Sequence, residues 1–279
     1  MTSTGSKEQP EQKYNKLLKY LARCGNIAIA FSGGVDSTFL LVSARRALGG
    51  KVLAITLDTT YVPRREIDEA LQLARQYQIP HRILQLPLPA DISDNPSDRC
   101  YLCKRRVFNE IRRVASESGF GCVADGSNAD DLDDHRPGMR ALREMGILSP
   151  LMECGLSKAE IRQLSRSLDL PTWDKPAYAC LLTRLPHGTP VTHEVLERIE
   201  KSEQYLIGQG FTGVRVRSHG NLARIEVPRD QRPRIFDEDL MDSIAERLKT
   251  FGYAHVSLDL EGYRTGSLNI EQSKDEVRT

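Results

Sequence analysis

Short apolar runs alternate with amphipathic stretches over roughly the first 125 residues of the chain. The apolar runs predict strands at 27–31, 52–58, 81–88 and 122–126. Stretches with helical periodicity predict helices at 36–48, 64–77 and 104–117. Strands that alternate with helices are typical of a parallel sheet covered by helices on both faces. The pattern therefore predicts an α/β fold for this part of the chain.

The pattern changes near Pro171. Residues 170–192 contain four prolines, and a long ordered loop of this kind is usually functional. Beyond it, the pattern predicts a helix at 192–210, a hairpin at 213–228, a helix near 234–250 and a strand at 255–260. We therefore expect a smaller C-terminal α+β domain. The predicted divisions are a flexible N-terminus (1–15), a first domain (16–175), a second domain (176–270) and a charged tail (271–279).

Composition excludes several classes of protein. The 279 residues include 39 basic and 38 acidic ones, a net charge of +1, which argues against a general binder of nucleic acid or membrane surfaces. No apolar run approaches the roughly 20 residues of a membrane span, and the polar N-terminus lacks a secretory signal. Six irregularly spaced cysteines do not suggest a disulfide scaffold. We expect a cytoplasmic protein.

The stretch FSGGVDST (31–38) joins the first strand to the first helix of the sheet. Backbone N–H groups in a glycine turn at a helix N-terminus can bind an anion such as phosphate. The glycines alone fit an ordinary tight turn as well, and the stretch is neither a Walker loop nor a dinucleotide fingerprint. It resembles the pyrophosphate loop of the N-type ATP pyrophosphatases, which cleave ATP between the α- and β-phosphates. The resemblance implies an ATP site with these residues: Ser32, Gly33, Gly34, Asp36 and Ser37.

In that family, the two serine hydroxyls and the backbone would hold the leaving pyrophosphate, while Asp36 would contact Mg²⁺ or the nucleotide. The base would lie near residues 55–58, at the end of the second strand. The stretch DGSNADDLDDHRPG (125–138) resembles the second nucleotide motif of the family and ends another strand of the same sheet. This adds Asp125 and Gly126 to the ATP site. Asp130 and Asp131 are candidate Mg²⁺ ligands, although an acidic run is usually a solvated loop.

Three cysteines are candidates for sulfur chemistry. Cys180 lies in the proline-rich loop, close to Arg184, whose guanidinium would favour the nucleophilic thiolate. Cys100 and Cys103 form a C-x-x-C that opens the predicted 104–117 helix. The two cysteines could also be neighbours by chance or form a redox pair. The sequence lacks the second pair that would complete a zinc site. Together with Cys180 they could bind an iron–sulfur cluster with one open iron. Four neighbouring cations would offset its charge: Arg99, Lys104, Arg105 and Arg106. The other cysteines fit inert apolar positions.

Taken together, FSGGVDST, DGSNADDLDDHRPG, AYACLLTRLPHG, GVRVR and LDLEGYRTG resemble the LarE family over residues 15–270. These are ATP-dependent sulfur transferases that build the nickel-pincer nucleotide cofactor of lactate racemase. The resemblance implies that a carboxylate of pyridinium-3,5-dicarboxylic acid mononucleotide is adenylated and then receives sulfur. In one-cysteine members the cysteine matching Cys180 donates its own sulfur. This chain resembles the three-cysteine members, thought to hold a [4Fe–4S] cluster with a replaceable sulfide.

The resemblance also gives roles to the second domain. Arg215 and Arg217 are two residues apart and project to the same face of a strand. By the resemblance they would bind the substrate phosphate. The alternative interpretation is that they lie on an exposed, solvated strand face. Arg184 would join them or contact the transferred group, so Cys180 and Arg184 are the predicted catalytic pair. Glu203 matches a metal-contacting residue, although a helix glutamate is more often a surface carboxylate. Family members form hexamers, so a homo-oligomer is expected, with possible transient contacts to other cofactor-biosynthesis proteins.

Rival functions remain open at this point. Another AMP-forming enzyme, a tRNA thiolase or an amide synthetase, would share the same loop, although near-neutral charge and the absence of paired zinc motifs argue against the tRNA enzyme. A non-catalytic iron–sulfur carrier would show a cluster without releasing pyrophosphate.

Overall fold

The computed structural model of the chain describes residues 8–132, 137–176 and 179–263. The chain divides into two compact units. The first comprises Met1–Pro87 and Asp98–Lys175, and the second comprises Leu88–Ser97 and Pro176–Thr279. Each unit has its own sheet and its own apolar core.

In the described part of the first unit, a four-stranded parallel sheet forms the centre. Its strands are β1 (Ile27–Ala30), β2 (Val52–Asp58), β3 (His81–Gln85) and β4 (Val123–Ala124), in the spatial order β3-β2-β1-β4. Ile27 pairs with Val52, and Ala54 pairs with His81. The parallel sheet confirms the predicted class. The third strand is shorter than predicted, ending at Gln85 rather than at 88, and the fourth spans two residues.

Helices cover both faces of this sheet. They are α1 (Pro10–Arg23), α2 (Val35–Leu48), α3 (Arg64–Gln76), α4 (Arg99–Glu117), α5 (Pro137–Glu144), α6 (Pro150–Glu153) and α7 (Lys158–Ser167). Ile27 and Ile29 of β1 join a core with residues of α1, α2, α3 and α7, whereas Ala28 joins a core with residues of α4 and α5. Alternate strand residues thus face opposite helical layers, as expected for a strand buried on both sides.

Helix α4 begins well before the predicted start at 104. Cys100 and Cys103 therefore lie inside the first turns of the helix and do not precede it. Asp98 is the N-cap residue but its side chain accepts no capping hydrogen bond. The helix start consequently lacks the side-chain cap that usually marks a boundary in a sequence.

In the described part of the second unit, a three-stranded mixed sheet packs with helices. The elements are α8 (His193–Gly208), β5 (Arg215–His219), β6 (Leu222–Glu226), α9 (Arg232–Ile235), α10 (Glu238–Thr250) and β7 (His255–Leu258). β5 and β6 form the predicted hairpin, and β7 pairs with β6 in parallel. The helix predicted near 234–250 is two helices, because α9 ends before α10 is capped by Asp237. The predicted α+β unit is confirmed.

The segment 88–97 has its contacts in the second unit, although the sequence analysis assigns it to the first domain. Asn95 is fully buried, and its side-chain amide donates to the carbonyl oxygens of Leu185 at 3.0 Å and Pro186 at 2.8 Å. The Val191 amide donates to the Ser93 carbonyl oxygen at 2.7 Å. These bonds tie the segment to the residues that follow Cys180. None of the helices in the described ranges is long and apolar enough to cross a bilayer.

Candidate active site

The turn after β1 is built for close backbone approach. Gly34 caps α2, and Gly33 has a φ of +69°. A Cβ added at Gly33 would lie 3.2 Å from the Cα of Ala70, so a larger residue would be both strained and crowded. The Ser32 and Ser37 hydroxyls are 3.1 Å apart. Because the first N–H groups of a helix have no partner within it, this turn presents donors suited to an anion.

The second predicted loop meets this turn directly. A Cβ added at Gly126 would lie 3.1 Å from the backbone nitrogen of Ser37. Asp125 is buried, and its two carboxylate oxygens accept hydrogen bonds from Ser127 at 2.5 Å and Ser149 at 2.7 Å. The structure therefore brings the predicted ATP residues of the two loops together at one edge of the sheet, as the parallel topology requires.

Asp36 lies in the first turn of α2. Its Oδ2 lies 2.5 Å from the Lys158 ammonium, while its Oδ1 is buried without a hydrogen-bond partner among the described residues. Burial raises the pKa of Asp36; Lys158 opposes the rise, and the Asp131 carboxylate adds to it. Carboxylate oxygens are the ligands that Mg²⁺ prefers. The unpartnered oxygen of Asp36, with Asp131 nearby, fits a magnesium site.

Asp130 and Asp131 have separate local roles. Asp130 Oδ2 accepts from the backbone nitrogen of Lys158 at 3.0 Å, at the start of α7. Asp131 Oδ2 accepts from the backbone nitrogen of Asn128 at 2.9 Å. Asp130 thus caps a helix with one oxygen, and Asp131 is the acid whose charge acts on Asp36. The remaining acids of the run, at 133 and 134, lie outside the described residues.

Two lysines at the turn were missed by the sequence analysis. Besides Lys158, Lys175 donates from its Nζ to the Gly33 carbonyl oxygen at 2.9 Å and lies 2.5 Å from Glu69 Oε2. Burial alone would raise the pKa of Glu69, but Lys175 and Arg65 outweigh it and the pKa is lowered. Both lysines are far from the turn in sequence, so only the folded topology brings them to it. The local sequence signal near Lys158 is the N-cap residue Ser157, which places Lys158 at the first position of α7.

Cys100 and Cys103, the two cysteines of the C-x-x-C, are three residues apart at the start of α4. This spacing places both side chains on one face of the helix. Cys100 is exposed, whereas Cys103 is half-buried with its sulfur 3.3 Å from the Tyr61 hydroxyl. Within the described ranges, no three His, Cys, Asp or Glu side chains gather as a metal site. Two thiols beside several cations suit two ligands of an anionic cluster. Cys180, the predicted third ligand, belongs to the second unit.

Burial affects two of the cysteines predicted to be inert, Cys24 and Cys154. Burial and the neighbouring Cys122 raise the pKa of Cys24 to about 11, and burial raises that of Cys154. Such thiols stay protonated near neutral pH and are poor nucleophiles.

Cys180 caps a short 3-10 turn, Leu181–Arg184, in the second unit. Although Cys180 lies in a long proline-rich loop, the residues after it are part of the core: Leu181, Leu182 and Arg184 are each at most 1% exposed. The Arg184 guanidinium donates to both carboxylate oxygens of Glu203, at 2.8 and 2.9 Å. Its third nitrogen donates to the Cys180 carbonyl oxygen at 3.2 Å. Glu203 is buried, so its interpretation as a surface carboxylate is wrong.

Arg215 and Arg217 lie on β5 and are 2% and 5% exposed, so the interpretation of an exposed strand face is wrong. Arg215 donates to the Val214 carbonyl oxygen at 2.9 Å, and its guanidinium lies 5.1 Å from the ring centre of Tyr263. Arg217 donates to Glu226 Oε2 at 2.8 Å. The two arginines lie on the same strand face as predicted, but that face is inside the unit.

Several charged side chains are buried in the described part of this unit. They are three arginines (Arg184, Arg215 and Arg217) and two glutamates (Glu203 and Glu226). Burial lowers the pKa of Arg215, and the neighbouring cations Arg184 and Arg217 lower it further. Neighbouring guanidiniums of this kind suit a phosphate.

Comparisons with known proteins show which sequences this chain resembles. Residues 26–98 match a family described as queuosine biosynthesis protein QueC. The chain is 40% identical over 261 residues to an uncharacterised protein of Synechocystis sp., covering 93% of this chain and 97% of the relative. It is 34% identical over 257 residues to the pyridinium-3,5-bisthiocarboxylic acid mononucleotide synthase of Lactiplantibacillus plantarum, covering 91% and 92%. An uncharacterised protein of Methanocaldococcus jannaschii is 32% identical over 253 residues, covering 91% and 96%.

These matches differ in what they establish. The QueC match contains the turn after β1 and supports the pyrophosphate-loop superfamily of ATP-using enzymes. The match to the Lactiplantibacillus synthase covers 91% of this chain and therefore extends into both units. The resemblance drawn from the sequence motifs is confirmed: this chain is a member of the LarE family of enzymes, the pyridinium-3,5-bisthiocarboxylic acid mononucleotide synthases.

Proposed function

We propose that the enzyme is an ATP-dependent sulfurtransferase that acts in synthesis of the nickel-pincer cofactor of lactate racemase. Its substrate would be pyridinium-3,5-dicarboxylic acid mononucleotide, since the named relative is a synthase of the corresponding bisthiocarboxylic acid. Residues 16–175 would serve ATP and residues 176–270 would serve substrate and sulfur. The observation that carries the proposal is the direct connection between the Cys180 turn and the arginine strand.

That connection has two parts, both inside the second unit. Arg217 donates to the carbonyl oxygen of Thr183 at 2.5 Å. Glu203 accepts from Arg184 at 2.8 Å and from the backbone nitrogen of Val216, between the two β5 arginines, at 3.0 Å. The turn that carries Cys180 and the strand that would bind the substrate phosphate are thus joined by hydrogen bonds. Such a network suits transfer of sulfur to a small substrate held by its phosphate.

The first half-reaction would take place at the turn after β1. A substrate carboxylate oxygen would bond to the α-phosphorus of ATP, the bond between the α-phosphorus and the bridging oxygen would break, and pyrophosphate would leave. The Ser32 and Ser37 hydroxyls and the first N–H groups of α2 would hold the leaving group. Mg²⁺, when held by Asp36 and Asp131, would neutralise phosphate charge. Lys158 would add a cation at the same place.

The second half-reaction would replace AMP with sulfur. A sulfur nucleophile would bond to the acyl carbon, and AMP would leave with the bonding electron pair. If Cys180 supplies its own sulfur, the resulting thioester would lose the Cα proton and break its Cβ–S bond, which yields a thiocarboxylate and dehydroalanine. A [4Fe–4S] cluster on Cys100, Cys103 and Cys180 would instead supply a bound sulfide and spare the cysteine. The three-cysteine sequence favours the latter source.

The assembly is also part of the proposal. By family resemblance the enzyme would be a cytoplasmic homo-oligomer, a hexamer, with transient contacts to other cofactor-biosynthesis proteins.

The test is product analysis with purified protein, prepared anaerobically, with ATP, Mg²⁺ and pyridinium-3,5-dicarboxylic acid mononucleotide. The expected result is AMP and pyrophosphate in equal amounts, with substrate that has exchanged carboxylate oxygen for sulfur. ADP as the nucleotide product would refute the chemistry. AMP formation that depends on bulk tRNA and not on the pyridinium nucleotide would identify a tRNA thiolase instead.

A further inference from the structure

Both carboxylate oxygens of Glu203 are already occupied by N–H donors. Oε1 accepts from Arg184 Nε at 2.8 Å and from the backbone nitrogen of Val216 at 3.0 Å. Oε2 accepts from Arg184 Nη2 at 2.9 Å. The arginine and the glutamate are 1% and 7% exposed. A paired, two-point contact of this kind is among the strongest side-chain interactions in a protein.

The remaining nitrogen of Arg184 points at the turn that carries the reactive cysteine. Nη1 donates to the carbonyl oxygens of Ala179 at 2.7 Å and Cys180 at 3.2 Å, and to the Thr183 hydroxyl at 2.8 Å. The planar guanidinium thus connects the Glu203 carboxylate on α8 with the backbone carbonyl groups of Ala179 and Cys180. Its orientation is fixed by Glu203, because the two-point contact leaves it no rotation.

This arrangement does not fit the metal role that the resemblance assigns to Glu203. Mg²⁺ prefers oxygen ligands in near-octahedral geometry. The three donors fill three of the roughly four lone-pair sites of the carboxylate, so Mg²⁺ could reach only the remaining site on Oε2, beside the positive charge of Arg184. Displacing the arginine instead would leave a buried guanidinium without its counter-ion. The cation that Glu203 binds in this chain is the guanidinium itself.

We propose that Glu203 is a positioning residue, which holds Arg184 on the Ala179 and Cys180 carbonyl groups and thereby fixes the backbone of the sulfur-bearing turn. The inference rests on the proposed function, because it assigns the pair to sulfur transfer. It separates the two half-reactions: loss of either partner impairs sulfur transfer and leaves AMP formation and metal binding largely intact. It also requires that the two residues act as one unit, so the effects of replacing each of them on the rate of sulfur transfer do not add in the double variant.

The experiment compares Glu203→Gln, Arg184→Gln and the double variant with wild type. Misplacing a reacting group by about 1 Å costs roughly 100-fold, so each single variant is expected to slow single-turnover thiocarboxylate formation by about that factor. The double variant should be within about threefold of the slower single variant. AMP formation and the Kd for Mn²⁺, measured by electron paramagnetic resonance, should change less than about threefold.

The matched control is Glu197→Gln, which removes an exposed carboxylate of the same helix that pairs with Lys201 at 2.8 Å. It should leave both half-reactions unchanged. If a glutamine variant fails to fold, Glu203→Asp retains the charge but shortens the reach to Arg184, and the same selective loss of sulfur transfer is expected.

Three results would overturn the inference. The first is weakening of Mn²⁺ binding by about tenfold in Glu203→Gln but not in Arg184→Gln, which would make Glu203 a metal ligand. The second is additive losses in the double variant. The third is unchanged hydrogen exchange of the 179–185 amides, which the inference expects to accelerate equally in both single variants. Exchange needs no substrate. If wild type makes no thiocarboxylate while both single variants show this acceleration, the proposed function alone is refuted.

Discussion

The Lys158 ammonium lies 2.5 Å from one carboxylate oxygen of Asp36, and the other oxygen of Asp36 is buried without a hydrogen-bond partner in the described part of the chain. This pair places a cation and an available oxygen ligand at the first turn of α2, where the backbone can receive phosphate. Lys158 neutralises a carboxylate whose burial would otherwise favour protonation.

Replacing Lys158 with Met should slow AMP formation by about 100-fold, the order of effect of losing one fixed charge that stabilises a transition state. Removing the ammonium also removes the influence that lowers the pKa of Asp36, so less of the carboxylate remains to bind Mg²⁺. The assay is AMP release at saturating substrate. Lys51→Met, at an exposed lysine, is the control, and equal effects of both changes would rule out a role at the turn.

Gly126→Ala should weaken ATP binding without unfolding the protein. The added methyl group would lie 3.1 Å from the Ser37 nitrogen and 3.3 Å from its Cα, and these are backbone atoms of a helix start that cannot yield cheaply. We expect the Kd for ATP to rise at least about tenfold, equivalent to roughly 1.4 kcal/mol, by isothermal calorimetry. Gly121→Ala is matched, because its added Cβ would meet nothing within 4 Å. A Gly126→Ala protein with wild-type affinity would contradict the contact between the loops.

His81 should make the fold sensitive to mild acid. Its Nε2 lies 2.8 Å from the Thr56 hydroxyl, which donates to the Phe31 carbonyl oxygen at 2.6 Å, next to the turn. Burial and, to a smaller extent, Arg75 lower the pKa of His81. The folded state thus binds a proton less readily than the unfolded state, so stability is full above the ordinary histidine pKa of about 6.5 and falls as pH drops through it.

The measurement for His81 is the free energy of unfolding in urea at about pH 7.5 and about pH 5.5. His81→Gln should reduce the loss between these values, whereas His193→Gln, at an exposed histidine, should not. An identical pH dependence in wild type and His81→Gln would show that another group controls it.

Iron content decides the source of sulfur. Anaerobically prepared protein should contain about four iron atoms per chain, and Cys103→Ala should lose them, since this residue would supply one of the cluster ligands. The control is Cys154→Ala, at a buried cysteine whose pKa is raised by burial. Iron-free wild type whose intact mass falls by one H₂S after turnover would instead establish Cys180 as a sacrificial donor.

The parallel sheet and the turn after β1 are predictable from sequence because local pattern dictates them. β1 is a short apolar strand that ends at the glycines, and β2 matches its predicted bounds of 52–58. Alternate residues of these strands belong to different apolar cores, so both faces of each strand must be apolar. This requirement appears in the sequence as a continuous apolar run. The edge position of the two nucleotide loops then follows from the parallel order.

The buried arginines could not be predicted in this way. Arg215 and Arg217 at alternate strand positions have the pattern of a solvated strand face. Arg217 pairs with Glu226 on the neighbouring strand β6, and Glu203 on α8 accepts from the backbone nitrogen of Val216, between the two arginines. Long-range charge pairing of this kind leaves no periodic signal. Lys158 and Lys175 were missed for the same reason, since each reaches the turn only through the packing of distant segments.

The proposed transfer of sulfur to an acyl adenylate depends on Cys180, either as the donor or as a ligand of the cluster that would supply the sulfide. Its most direct test is a single turnover of Cys180→Ala with ATP, Mg²⁺ and the pyridinium dicarboxylate nucleotide, with AMP and thiocarboxylate quantified together and Cys122→Ala as the control. We predict that Cys180→Ala releases AMP but forms no thiocarboxylate, whereas Cys122→Ala forms both. Thiocarboxylate produced by Cys180→Ala at the wild-type rate would contradict the account.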